Sequence, residues 1–395
     1  MSNSVCPQTF YSCLNCSTCK QTHSPDVLHT VCARCGKALF AEYDLDDARK
    51  RITRDSFSAV DGTMWRYREM LPVFDDLAIV SLGEGWTPVL HLKKLGDEMG
   101  LPNLYLKEEG INPTGSFKAR GLSVAVSKAK ELGVKEVMIP SAGNAGGALA
   151  AYAAKAGMKA HIFVPRDTPK VNINEIPFYG SEIYLVDGVI SDAAKKMKEM
   201  SQGKNWFDMS TLKEPYRLEG KKTMGYEIAE QFNWRLPDVI IYPTGGGTGL
   251  IGMWKAFDEL EKLGWISGTK PRMVSVQASD CAPIVKAFQN GKREAEFWKD
   301  SRTIASGLRV PKPFADTIIL DVLYASYGTA MAISDDELLN EMKHVAKIEG
   351  IFLCPEGATT IAAVRRLIRS GWIKSSETVV VFNTGSGYKY IELYT

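Results

Sequence analysis

The sequence predicts an α/β protein of two doubly wound domains, preceded by a small stapled module. Three features predict it. Apolar, β-type runs alternate with alanine- and lysine-rich helical runs through most of the chain, the pattern of parallel sheets covered by helices on both faces. Glycine-rich loops directly follow several strand candidates, and in such sheets ligands bind beyond the carboxyl ends of the strands. Six of the eight cysteines lie before residue 36, so the first stretch carries thiols where a domain would carry an apolar core.

The bulk numbers limit the function classes. A chain of 395 residues suggests two or three domains. A composition of 45% hydrophobic and 24% charged residues is ordinary for a globular protein with a large core. The formal net charge of +2 gives no broad electrostatic case for nucleic acid or an anionic membrane. A small anionic substrate needs only a local cluster of donors. Met1 to Phe10 is polar and does not read as a signal peptide. No run of 18 apolar residues is present, so no membrane span is expected. The uneven cysteines do not form a secreted-type disulfide framework, and the expected compartment is the reducing cytoplasm.

The elements follow in order. Residues 1–43 are expected to form a zinc-ribbon-like module too small to fold on its own core. From Asp44 to about Leu77 the chain reads as helix and loop. Strand candidates are Leu104 to Lys107, Glu136 to Ile139, Ala160 to Val164, Glu182 to Val186, Val239 to Tyr242, Arg272 to Gln277 and Thr378 to Phe382. Runs such as Val379-Val380-Val381 suit strands buried on both faces. Helices are expected at Ala119 to Leu132, Gly146 to Ala156, Ser191 to Met200, Lys221 to Phe232, Gly249 to Lys262, Asp335 to Glu349 and Gly357 to Ser370. Residues 44–395 are expected to form the catalytic region, with a smaller α/β subdomain of about 115–215 inserted in the larger one.

Cys16-x-x-Cys19 is followed, after twelve residues, by Cys32-x-x-Cys35. Two such knuckles can bring four thiolates around one tetrahedral zinc. Gly36 follows the second pair, where a knuckle often needs positive φ. Cys13 and Cys16 form an alternative first pair, and free thiols are the bland alternative. With four protein ligands the metal would be structural, because no position stays open for substrate.

The segment Asn112-Pro-Thr-Gly-Ser-Phe-Lys118 follows a strand candidate and opens a helix. Lys118 therefore sits at a helix N-terminus, whose positive end disfavours a second positive charge and eases formation of a neutral, nucleophilic amine. A solvated surface lysine is the bland reading, and for a lone lysine it would win. Here the partners oppose it. Ser141-Ala-Gly-Asn144-Ala-Gly and Thr244-Gly245-Gly246-Gly247-Thr248-Gly each run from a strand candidate into a helix, the arrangement that turns backbone N–H groups towards a phosphate. Asn383-Thr384-Gly385 puts a hydroxyl at the end of a third strand candidate. A reactive lysine, a phosphate cradle and a hydroxyl donor are the parts needed to hold pyridoxal phosphate.

From Gly83-Glu-Gly-Trp-Thr-Pro88 to its end, the chain resembles threonine synthases and their relatives among the fold-type-II pyridoxal-phosphate enzymes. The resemblance implies that Lys118, in NPTGSFKARG, is the Schiff-base lysine and that freed Lys118 is the general base at Cα. It implies that Asn144 contacts the ring hydroxyl of the cofactor. Gly245, Gly246, Gly247 and Thr248 would cradle its phosphate, and Thr384 would bond its pyridine nitrogen. The segment Tyr216-Arg-Leu-Glu-Gly-Lys-Lys-Thr223 looks like the RxEGxKT element of threonine synthases, so Arg217 would bind the phosphate of O-phosphohomoserine. An Arg fork suits phosphate; an ion pair with Glu214 or Glu219 is the alternative. Ser141 and Thr87 would lie near substrate. The resemblance further implies a homodimer, and it likens the cysteine module to the zinc-ribbon-like segment of some threonine synthases.

The implied reaction converts O-phospho-L-homoserine and water to L-threonine and phosphate. Ala119 and Ala145 stand where many threonine synthases carry an aspartate and a hydroxyl residue, and the TGGGTG loop is close to the dehydratase branch. A threonine, serine or diaminopropionate ammonia-lyase, or a β-replacing synthase such as cysteate synthase, therefore stays open, as does a non-catalytic zinc-stapled binding protein. The five histidines are scattered, with His23 and His29 the only near neighbours in sequence. Cys354, before Pro355-Glu356-Gly357, reads as a buried structural thiol near the site.

Overall fold

The computed structural model describes residues 9–57 and 62–394. The N-terminal residues used to argue against a signal peptide lie largely outside that range, as do Cys6 and residues 58–61 of the linker.

At the front, β1 (Tyr11–Cys16), β2 (Thr22–His23) and β3 (Leu39–Tyr43) form a three-stranded antiparallel sheet in the order β2-β1-β3. Helix α1 (Leu45–Arg51) follows, capped by the Asp44 side chain on Asp47 N, and then short 3-10 turns. Buried Phe10, Tyr11, Leu14 and Leu39 belong to the same apolar cluster as the body of the protein, so the module is docked rather than free-standing.

The larger sheet starts with β4 (Val89–His91), α2 (Lys93–Met99) and β5 (Leu104–Glu108). Helix α3 (Lys118–Glu131) then leads into a second sheet. That sheet holds β6 (Glu136–Pro140), β7 (Lys159–Pro165), β8 (Glu182–Val186) and β9 (Trp206–Asp208). Its helices are α4 (Asn144–Ala156), α5 (Lys170–Phe178) and α6 (Ile190–Met200). The order is β8-β7-β6-β9, all parallel.

The chain then returns to the larger sheet through α7 (Tyr216–Gln231), β10 (Val239–Pro243), α8 (Thr248–Lys262), β11 (Arg272–Ala278), α9 (Pro283–Gln289), α10 (Asp316–Ala325), β12 (Thr329–Ile333), α11 (Asp335–Glu349), α12 (Pro355–Arg369) and β13 (Val379–Asn383). Its order is β12-β11-β10-β13-β5-β4, parallel except for the edge strand β4. The central strand β13 carries the Val-Val-Val run, and each of those valines is fully buried. Such burial stabilises by about 1.5–3 kcal/mol per side chain.

One packing feature sets the geometry of the site. Helices α3 and α7 cross with their backbones in contact. A Cβ on Gly220 would lie 2.1 Å from Arg120 O, and one on Gly121 would lie 2.8 Å from Arg217 O. Only glycine permits that approach, and it brings the start of α3 beside the start of α7. The sequence reading began this helix at Lys221; it begins at Tyr216, because Gly220 serves as a contact point and does not end the helix.

Candidate active site

Lys118 is the first residue of α3. The turn before it is tight, with Thr114 at φ 61° and Gly115 at φ 66°. Phe117 N donates to Thr384 O at 3.0 Å, tying this turn to the end of β13. The Lys118 amine lies over the Phe117 ring, 4.0 Å from its centroid. Burial, reinforced by the Arg217 charge and opposed by Glu356 and Cys354, brings its pKa down to about 7. The lysine is thus a buried amine with a substantial neutral, nucleophilic fraction near neutrality.

Lys118 opens onto a cavity of about 340 Å³ lined by loops from the carboxyl ends of both sheets. Asn144, Gly245, Gly246, Gly247, Thr248, Arg217, Ser141 and Thr384 line it too. Gly247 has φ 81° and precedes Thr248, the first residue of the 15-residue helix α8. At Gly245 and Gly247 there is no room for a side chain. A Cβ on Gly245 would stand 2.2 Å from Gly307 O, and one on Gly247 2.4 Å from Ile319. The loop presents backbone N–H groups at a helix start, which suits a phosphate. Asn144 opens α4, and its Oδ1 is buried without a hydrogen-bond partner. Thr384 is 6% exposed, with its hydroxyl 3.9 Å from the Cys354 sulfur.

Arg217 is the other notable group. Its guanidinium donates to Met209 O at 2.7 Å and Thr211 Oγ1 at 3.3 Å, while Nε has no partner. The ion-pair alternative does not hold. Glu214 accepts from the backbone N–H groups of Tyr216 and Arg217 and so caps α7. Glu219 faces the other way, to Tyr43, Lys222 and Lys255. Burial lowers the Arg217 pKa, with partial compensation from Glu214 and Asp208. Burial raises the Glu214 carboxyl to about 7.

Two sequence expectations read differently in the structure. Thr87 does not line the cavity. Its hydroxyl donates to Glu109 at 2.6 Å within a buried network joining Arg120, Glu109, Glu227 and Lys107. The network locks the base of α3 to α7, which explains the threonine without a substrate. Ser141 lines the cavity, but its hydroxyl is engaged inside its own loop, with Gly143 and Gly146. Cys354 matches the bland reading: its sulfur accepts from Gly357 N at 3.3 Å and caps α12.

Sequence reasoning did not select Lys213, Glu356 or Tyr390. Lys213 and Glu356 line the cavity. The Tyr390 hydroxyl joins Asn144, Ser306 and Glu356. The one signal was the position of Glu356 beside Cys354 and Pro355, at the start of a helix.

In the front module the sulfurs of Cys16, Cys19, Cys32 and Cys35 all lie within 4.8 Å of one another. Tetrahedral zinc–thiolate bonds place sulfurs about 3.8 Å apart, so the four residues fit one ion. Cys13 stands outside the cluster. The ring centroids of His23 and His29 lie 5.1 Å apart.

A buried lysine with a lowered pKa, a glycine loop with no space for side chains at Gly245 and Gly247, a hydroxyl at a strand end and a carboxamide with an unused oxygen fit a phosphorylated aldehyde cofactor. Together they define a lysine-based carbonyl enzyme on a fold-type-II α/β scaffold. The family model described as "Pyridoxal-phosphate dependent enzyme" matches residues 80–385, and the chain belongs to that family. The threonine synthase of Methanocaldococcus jannaschii is 37% identical over 377 residues, covering 95% of this chain and 92% of that protein. That of Methanosarcina acetivorans is 34% identical over 94% of this chain and 91% of its own length. Maize serine racemase superposes with a TM-score of 0.66 at 22% identity, over 78% of this chain and 93% of that one. An L-serine ammonia-lyase from Rhizomucor miehei gives 0.65 at 22%, over 78% and 98%. The cofactor is pyridoxal 5'-phosphate. Among the described residues no helix is long and apolar enough to cross a membrane.

Proposed function

We propose that the protein is a threonine synthase, converting O-phospho-L-homoserine and water to L-threonine and phosphate. One observation carries this reading: the cavity offers two separate anion sites. The glycine loop at the head of α8 suits the cofactor's phosphate. Arg217 is a second, buried cation with no carboxylate partner and an unused Nε. Lys213 lines the cavity four residues before it. A buried guanidinium in no direct ion pair is costly, and a phosphorylated substrate would supply a directly bound anion. Relatives named threonine synthase that match nearly the full chain support the same reading.

When bound, pyridoxal phosphate supplies an electron sink for the carbanion at Cα. Gly245, Gly246, Gly247 and Thr248 would hold its phosphate. Asn144 and Thr384 would fix the ring at its hydroxyl and its nitrogen. Lys118 would attach the cofactor, and once freed it would take the α-proton. Arg217 and Lys213 would orient the substrate's phosphate and stabilise the charge that grows on it as the Cγ–O bond breaks. Segments 141–145 and 306–314 line the cavity and would limit the access of bulk water to the reacting carbons.

In the same reading residues 1–43 hold one structural zinc through Cys16, Cys19, Cys32 and Cys35. Residues of about 115–215 form the smaller subdomain, and the protein works as a cytoplasmic homodimer. The resemblance supports the dimer.

A substrate panel tests the reading. The purified holoenzyme is expected to release phosphate from O-phosphohomoserine and to form threonine in equal amount. Preferential formation of ammonia and a 2-oxo acid from threonine, serine or diaminopropionate would replace this reading with the lyase one.

A further inference from the structure

Glu356 is the one acidic side chain on the cavity wall among the described residues, facing five cations there: Lys118, Lys213, Arg217, Arg309 and Lys312. Arg309 and Lys312 have their own carboxylates, Asp167 and Glu294. Glu356 lies in the first turn of α12, where the helix end favours negative charge. Its Oε1 accepts from Gly307 N at 2.8 Å and from the Tyr390 hydroxyl at 2.9 Å. Its Oε2 is buried with no hydrogen-bond partner. Two donors thus fix one oxygen and leave the other without a donor.

Four groups bear on the Lys118 amine. Arg217 and Lys221 come from α7, and Glu356 and Cys354 from the head of α12. The Lys221 amine donates to the Phe117 carbonyl. Burial and Arg217 push Lys118 towards neutrality, which suits capture of the cofactor. A base pushed only that way would hold a proton poorly.

We propose that Glu356 is the counter-charge that lets Lys118 carry the substrate's α-proton during turnover. As the Cα–H bond breaks, the proton goes to Nζ of Lys118 and the electron pair stays on the substrate side. The new ammonium is then balanced by the Glu356 carboxylate. Tyr390 is a positioning residue that keeps the carboxylate in place. The inference rests on Lys118 as the α-proton acceptor, and it does not depend on which amino acid is bound.

The test uses holoenzyme carrying Glu356→Gln, whose carboxamide oxygen can still accept from Gly307 and Tyr390. Two readouts are made: the pH midpoint of the cofactor's absorbance band, and the rate of α-hydrogen exchange with deuterated water. The absorbance midpoint and the acid limb of the exchange rate are both expected to move to lower pH, because a negative charge near the amine is lost. Exchange is expected to slow by about 10- to 100-fold. Glu356→Asp, which keeps the charge, is expected to restore the midpoint, and Tyr390→Phe to leave the acid limb in place. An unshifted midpoint and acid limb in Glu356→Gln overturn the proposal. So does an equal slowing in Glu356→Gln and Tyr390→Phe with no pH shift in either, which assigns Glu356 to the scaffold. Should Lys118→Ala still exchange the α-hydrogen, the reading of Lys118 itself fails, and that outcome is separate from the others.

Discussion

Burial, reinforced by the Arg217 guanidinium in the first turn of α7, pushes the Lys118 amine at the head of α3 towards neutrality, and the two residues line one cavity. The close crossing of α3 and α7 at Gly121 and Gly220 makes this neighbourhood possible. One arginine therefore has two tasks. It would receive the substrate's phosphate, and it would tune the lysine proposed to attach the cofactor.

Removing that charge should expose both tasks. Arg217→Gln is expected to raise KM for O-phosphohomoserine by about 10- to 100-fold, the range for lost hydrogen bonds to a charged group. It should also raise the Lys118 pKa, because a positive neighbour is gone. Steady-state kinetics check the first effect. The pH dependence of cofactor capture by the apoprotein, moved to higher pH, checks the second.

Cofactor capture by the unaltered protein should itself depend on pH. The Lys118 pKa is lowered to about 7. Below that pH the amine is protonated and cannot attack an aldehyde; above it the neutral amine predominates. The reconstitution rate, followed by absorbance, is expected to fall about tenfold per pH unit below 7 and to level off above it.

The glycine loop should tolerate no side chain at two of its positions. In Gly245→Ala the new methyl would meet the Gly307 carbonyl, which is backbone, and in Gly247→Ala it would meet Ile319 with φ already positive. Both variants are expected to bind pyridoxal phosphate about 5- to 150-fold more weakly than the parent, given the strain of about 1–3 kcal/mol that such clashes impose. Equilibrium dialysis measures it. Gly246→Ala should be milder, since its methyl would meet the Thr211 side chain.

The cysteine module should act through stability. The Tyr43 hydroxyl donates to Glu219 at 2.8 Å, joining the module to α7. Cys32→Ser is expected to abolish binding of one zinc per chain and to lower the unfolding temperature by several degrees, as loss of a few kcal/mol would. Metal analysis and a thermal melt check both. Cys13→Ser should leave zinc content unchanged.

Much of this was legible in the sequence, for physical reasons. Strands buried on both faces announce themselves as apolar runs, as Val379 to Val381 do. Helices α3, α4 and α8 follow loops whose glycines mark their starts. The elements that escaped carry conflicting local signals. Helix α10 is the apolar run DTIILDVLYA, which reads as a strand; α5 contains Pro177; β4, β9 and β12 are short or lie at sheet edges. In the site, the motif residues left a local pattern because most stand at or next to a junction where a loop after a strand runs into a helix, as Lys118, Asn144 and Thr248 do. Thr87 was misplaced because its partners Glu109 and Arg120 act through space and leave no local pattern. Glu356 and Tyr390 are 34 positions apart, so no single window could pair them.

The central claim is elimination of phosphate at Cγ followed by addition of water at Cβ, and oxygen-18 water tests it most directly. Holoenzyme is incubated with O-phosphohomoserine in labelled water, and the products are read by mass spectrometry. The account predicts one labelled oxygen in the hydroxyl of threonine and none in the first-released phosphate, because the carbon–oxygen bond breaks. Labelled phosphate accompanied by homoserine, or a 2-oxo acid accompanied by ammonia, would contradict it.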